Sequence, residues 1–120
     1  PYHCHCIKTA RLLREELKWP EDKILVTFQS RFGPEPWLQP YTDKTIIDLA
    51  KKGISNIALI APGFISDCLE TLEEINGEGK ELFIENGGKN FHYIPCLNDN
   101  KYSIKLLDQI IKTNLLGWVD

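Results

Sequence analysis

Methionine is absent from all 120 residues, position 1 included. A natural start leaves one unless it is removed, so Pro1 is expected to be a cut rather than a beginning. No apolar run approaches the roughly 18 residues that a membrane-spanning helix requires. Cysteine is scarce: four residues, irregularly placed, are too few for a disulfide scaffold and point to a reducing compartment. Basic charge is not in excess, with 14 Lys and Arg against 17 Asp and Glu. A net charge of −3 excludes non-specific nucleic-acid binding as the main task. Low-complexity tracts are lacking. A composition 42% hydrophobic and 26% charged excludes disordered and fibrous classes and leaves room for one ordinary domain.

Three short apolar segments punctuate the chain: Ile24 to Phe28, Ile57 to Ala61, and His92-Tyr93-Ile94. Helical periodicity fills the intervals. Cys6, Ala10, Leu13 and Leu17 form one apolar stripe. Thr42 and Asp43 are placed to cap a helix containing Ile46, Ile47 and Ala50, with Gly53 at its C-terminal turn. A third helix is expected from about Asp67 to Glu85, and Ile104, Leu107, Ile111 and Leu115 mark a fourth. Near-continuous apolar strands alternating with helices predict an α/β fold, a Rossmann-like parallel sheet with helices on both faces. The order opens on a helix, so the first strand of such a unit is lacking at the front.

Acidity is concentrated. Between Ser66 and Glu85 stand seven acids and one base, Lys80. Glu70, Glu74 and Glu78 fall at i, i+4 and i+8, with no Lys or Arg three or four residues after any of them. Like charges at this spacing cost a few tenths of a kcal/mol per pair, and Gly77 and Gly79 add roughly 1 kcal/mol each relative to alanine. A helix selected for stability alone would not be written this way. A solvated acidic face is the bland reading; a row of hard oxygen ligands and proton acceptors is the sharp one. The loop Pro62 to Cys68 favours the latter, because it follows an apolar strand at the end where α/β sheets hold ligands.

The segment Phe28 to Pro40 also follows an apolar strand. Three prolines and a glycine stiffen it, and it carries Gln29, Ser30 and Arg31 beside Phe32 and Trp37. Aromatic faces with amide and guanidinium donors suit a planar, anionic organic ligand, whereas a packed loop closed by Trp37 is the plainer alternative. His3-Cys4-His5-Cys6 is not a convincing metal site, since alternate residues do not converge on a helix. Cys68 and Cys96 read as small buried residues, and His92 and Tyr93 show no partner in sequence.

Three strings are distinctive: Phe28-Gln29-Ser30-Arg31-Phe32-Gly33-Pro34 with Trp37-Leu38-Gln39-Pro40 and Thr42-Asp43; Pro62-Gly63-Phe64-Ile65-Ser66-Asp67-Cys68-Leu69-Glu70-Thr71-Leu72-Glu73-Glu74; and Ile94-Pro95-Cys96-Leu97-Asn98-Asp99-Asn100. They resemble the signatures of the ferrochelatase family, and the resemblance runs essentially from Pro1 to the last helix. It implies the terminal step of protoheme synthesis, insertion of ferrous iron into protoporphyrin IX with release of two pyrrole protons. The implied fold, class II chelatase-like, has two similar halves around a porphyrin cleft. Residues 1–120 correspond to its C-terminal domain, truncated on the N-terminal side.

The resemblance implies roles position by position. Glu70 is the catalytic acid facing the porphyrin centre, for metal delivery or proton abstraction. Glu74 and Glu78 line the path behind it, and Asp67 is the acid at the helix start, counted with them as iron-handling. Trp37 and Phe64 surround the macrocycle; Gln29, Ser30 and Arg31 lie on its propionate side. Cys68 stands where several members carry histidine, a departure from the pattern. The family's Ser-Ala-His strand is not in this sequence, so little activity is expected of the chain alone. Fe²⁺ is implied as substrate rather than bound cofactor, with no iron–sulfur cluster. The implied partners are protoporphyrin IX, Fe²⁺ and the N-terminal half, without nucleic acid. The implied setting is cytoplasmic in a bacterium, with peripheral association at the inner membrane, or an organellar matrix in a eukaryote. Two alternatives stand beside this: a chelatase for another metal and tetrapyrrole, and a non-catalytic half that binds porphyrin or a partner.

Overall fold

The computed structural model describes residues 1–29 and 33–118. Helix α1 (Tyr2–Leu17) ends at Lys18, in the left-handed conformation with φ 55°, where Trp19 N donates to Arg14 O. A short 3₁₀ turn follows at Glu21–Lys23. Helix α2 (Thr42–Lys51) buries Ile46 and Ala50 and places Asp43 in its first turn and Lys51 in its last, as the helix dipole favours. Its cap position is Tyr41 rather than Thr42 or Asp43, which fall inside the first turn. Gly53, at φ 84°, reverses the chain there, and Ile54 N returns to Leu49 O.

Strands β1 (Asn56–Ile60) and β2 (Asn90–Ile94) pair in parallel, Asn56 opposite Asn90 and Ile60 opposite Ile94. A parallel pair needs a crossover. Here it is one continuous helical segment: a π-helix (Glu70–Gly79) running directly into α3 (Lys80–Glu85). The expected α-helix over Asp67 to Glu85 is therefore corrected over most of its length. Ile46, Ala50 and Phe83 form the core, with Ile57, Leu59, Leu82 and Phe91 packed against them. Phe83 is wholly buried, and a Cβ added at Gly88 would collide with its ring, so glycine is required at that approach. Helix α4 (Lys101–Asn114) is capped by Asn100, whose Oδ1 accepts from Tyr102 N and Ser103 N.

The α/β class and the parallel pairing agree with expectation, but two parts of it do not. Ile24 to Phe28 is not a strand: among the described residues Phe28 makes only an isolated parallel bridge to Tyr41. A strand exists through its neighbour, and among the described residues no strand pairs with this segment. The second concerns the sheet faces: among the described residues, the helices that pack most on the sheet lie on one face. Exposure alternates along β1 and β2, with Ile57, Leu59, Phe91 and Tyr93 turned inward and Ala58, Ile60, His92 and Ile94 outward. Neither α1 nor α4 packs extensively on the outward face. The α4 stripe Ile104, Leu107, Ile111 and Leu115 consequently stays exposed. The radius of gyration is 16.8 Å, against about 14 Å for a compact domain of this length. No helix among the described residues is long and apolar enough to cross a membrane.

Candidate functional site

A cavity of about 370 Å³ opens where the π-helix passes α2 and the pair Phe28 and Gln29. Phe28 and Gln29 form one wall, Tyr41 to Lys44 a second, and Glu74, Ile75, Glu78 and Gly79 a third. Phe28 is fixed from both sides by backbone bonds, its N–H donating to Pro40 O at 2.9 Å and its carbonyl accepting from Thr42 N at 3.1 Å. Its ring stacks on His3, centroids 5.5 Å apart. The next residue, Gln29, is thereby aimed at the π-helix. Its Nε2 donates to Glu74 Oε2 at 2.9 Å and to the Glu70 carbonyl at 3.3 Å. The second wall is the first turn of α2, whose positive dipole end faces these carboxylates.

The π-helix shapes the acidic row. Each N–H reaches back five residues instead of four, so a turn holds more residues. Thr71, Ile75 and Gly79 are buried at a constant step of four, and Phe83 in α3 continues the sequence. Glu70, Glu74 and Glu78 follow the same step one position earlier and run beside that buried row. Gly79 sits where an added Cβ would lie 3.4 Å from both Ile46 Cδ1 and Glu74 O, with Phe91 next at 3.6 Å. Its cost in helix propensity is thus tied to the close crossing of α2, β2 and the π-helix.

Asp67 belongs to a different constellation. Its Oδ1 accepts from Tyr93 OH at 2.7 Å, Thr71 Oγ1 at 3.0 Å and Cys96 N at 3.4 Å. Its Oδ2 accepts from Asn98 Nδ2 at 2.8 Å, while its own N–H donates to Asn98 Oδ1 at 2.9 Å. Tyr93 and Asn98, with smaller help from Thr71 and Cys96 N, hold the Asp67 carboxyl far below the ordinary carboxylate range. Burial, reinforced by the hydrogen bond to Asp67, pushes the Tyr93 hydroxyl well above its usual value. Burial also raises the Cys96 thiol.

Of the residues singled out from sequence, Gln29, Glu74 and Glu78 meet at the cavity, and Glu70 heads the same row, half-buried. Asp67 does not join them. Trp37 and Phe64 are 39% and 37% exposed and lie outside the cavity wall. Ser30 and Arg31 fall outside the described residues. Among the described residues no three His, Cys, Asp or Glu side chains converge as a metal cluster, the His3 to Cys6 run included. Sequence reading missed Thr71, Tyr93 and Asn98. The available signal was the Asn-Asp-Asn turn immediately after an apolar strand, a place where a side-chain amide in the left-handed region is common; Asn98 has φ 51°.

Comparison with known proteins adds lineage to this geometry. The family model described as Ferrochelatase matches residues 1–115. Curated proteins named ferrochelatase from Allorhizobium ampelinum and Rhizobium meliloti are 61% and 60% identical to the chain over 119 residues. One from Brucella ovis is 55% identical over the same span. Each alignment covers 99% of this chain but only 34–35% of the relative, so the chain spans about a third of the length of the curated relatives it matches.

Proposed function

Since this chain belongs to the ferrochelatase family, we propose that it is the C-terminal part of an enzyme inserting Fe²⁺ into protoporphyrin IX to form protoheme. The observation that carries this reading is the acidic row of the π-helix, with Glu74 and Glu78 on a cavity wall and Gln29 bonded to Glu74 across it. The reaction removes two protons from pyrrole nitrogens as the ion enters, so it needs bases and a route of exchangeable hard ligands. Carboxylates supply both. A thiolate cage would hold iron too firmly to release it.

In this reading Glu70 accepts protons or passes iron at the ring centre, and Glu74 and Glu78 lead towards it. Gln29 and the loop after it, with Ser30, Arg31 and Trp37, meet the macrocycle and its propionates, and Phe64 borders the ring. The N-terminal half of the same protein supplies the opposite wall of the cleft. We extend the reading to residues 1–120 holding no iron–sulfur cluster, and to an enzyme that is cytoplasmic and peripherally associated with a membrane, where a product as apolar as protoheme partitions.

The test is anaerobic metallation of protoporphyrin IX by the full-length protein against its Glu70→Gln variant. Turnover should fall by about 10²–10⁴, the usual worth of a positioned acid–base group, with the unfolding temperature unchanged or slightly raised. The 120-residue chain alone should show little turnover. Wild-type turnover in Glu70→Gln would return the row to a solvated face.

A further inference from the structure

Glu70 carries its proposed role only if its position is fixed, and the backbone bonds of a π-helix do not fix it alone. Thr71, the next residue, is wholly buried. Its hydroxyl accepts from Cys68 N at 2.9 Å and donates to Asp67 Oδ1 at 3.0 Å. Asp67 in turn is gripped from β2 and the turn after it, by Tyr93, Cys96 N and Asn98. The same turn holds the loop a second time, Asn98 N donating to Ile65 O at 2.8 Å. The chain entering the π-helix is thus fastened to the carboxyl end of β2 on one side. On the other, Gln29 Nε2 holds the Glu70 carbonyl.

We propose that Asp67, Tyr93 and Asn98 form a positioning network that sets the height and rotation of Glu70, and that Asp67 is not itself an iron ligand. The proposal rests on the functional reading above. Three of the four donors converge on Asp67 Oδ1 and the fourth, Asn98 Nδ2, takes Oδ2, so both oxygens are engaged in holding the loop. Iron at Oδ1 would displace bonds that hold the loop. The donors come from two directions, Thr71 in the π-helix and the stretch 93–98 that ends β2 and turns after it, which is what a positional lock requires. Tyr93 is an inward residue of β2, so the sheet itself is the fixed point from which Glu70 is measured.

The pairing of Asp67 with Asn98 is reciprocal, which makes it testable by exchange. Asp67→Asn alone sets one amide donor against another at Oδ2. The double variant Asp67→Asn/Asn98→Asp restores donor to acceptor with the carboxylate on the other partner, and aspartate tolerates the left-handed backbone there. The full-length enzyme is assayed for Fe²⁺ insertion into protoporphyrin IX, with thermal unfolding recorded alongside. An inactive wild type would dispose of the functional reading and is distinguishable from any result on the variants. In an active enzyme, Asp67→Asn should lower kcat about 10–100-fold, the scale of a small misplacement of a reacting group. The exchange should recover kcat to within about 3-fold. Tyr93→Phe, which removes one donor and no volume, should lower kcat about 10-fold with KM for porphyrin unchanged. A double variant no more active than Asp67→Asn would overturn the proposal, because the carboxylate at 67 would then act on its own account. So would wild-type kcat in either Asp67→Asn or Tyr93→Phe, even with a lowered unfolding temperature.

Discussion

The helical segment between β1 and β2 changes character at Gly79. Its first part, the π-helix, carries a row of half-exposed to exposed carboxylates beside a buried row of small or medium residues, Thr71, Ile75 and Gly79. Its second part, α3, is short, ordinary in its hydrogen bonding, and sinks Phe83 completely into the core. One stretch is arranged around a cavity and the other around a ring. The two stretches thus differ in winding as well as in what they bury. The acids stand on the less common helix, at its least economical sequence, beside the glycine that lets α2 approach.

The largest effect should come from the anchor: Phe83→Ala in the full-length protein should cost about 3–5 kcal/mol in urea unfolding. If the two parts are separate in role, whatever folds should keep its KM for Fe²⁺. Next come the glycines. Gly79→Ala must push Ile46 or the Glu74 carbonyl and should lose about 1 kcal/mol, whereas Gly77→Ala meets only Leu72 O at 3.7 Å and should be neutral or gain up to about 1 kcal/mol. Equal effects at both positions would deny Gly79 its packing role.

Acid titration sharpens the same contrast. The folded state depresses the Asp67 carboxyl, so Asp67 contributes stability that is present above its unfolded pKa, about 4. That contribution is lost as pH falls from there towards the lower folded value. Stability of Asp67→Asn, measured by thermal unfolding between pH 5 and about 2, should fall less steeply than that of wild type. Glu78→Gln should change least: a few-fold rise in the Fe²⁺ concentration for half-maximal metallation, with kcat nearly retained. A larger loss than in Glu70→Gln would reverse the assigned order along the row.

Much of this was legible in the residues. The stripes of α1, α2 and α4 and the two paired apolar segments were read from periodicity alone, since local pattern determines them. Ile24 to Phe28 was not, because an apolar run becomes a strand only when a neighbour supplies its ladder, and pattern carries no information about neighbours. The π-helix does leave a trace in the residues. An α-helix alternates steps of three and four to keep a face, and both rows here, Glu70-Glu74-Glu78 and Thr71-Ile75-Gly79-Phe83, step by four throughout. Asp67 was read with the acids nearest in sequence, while its partners Tyr93 and Asn98 lie 26 and 31 residues away. Only the parallel register of β1 and β2 brings them together.

The wider turn has a consequence for phase. A residue advances about 100° around an α-helix and roughly 80° around a π-helix. Over the ten residues Glu70–Gly79, the shortfall accumulates to roughly half a revolution. The same sequence wound as α throughout, with Phe83 held in its socket, would carry Glu70 to the opposite side of the helix axis. The π-helix therefore acts as a gear between anchor and acids. Deleting one residue from the stretch would do more than shorten it, because every carboxylate upstream would be turned out of alignment with the cavity at once.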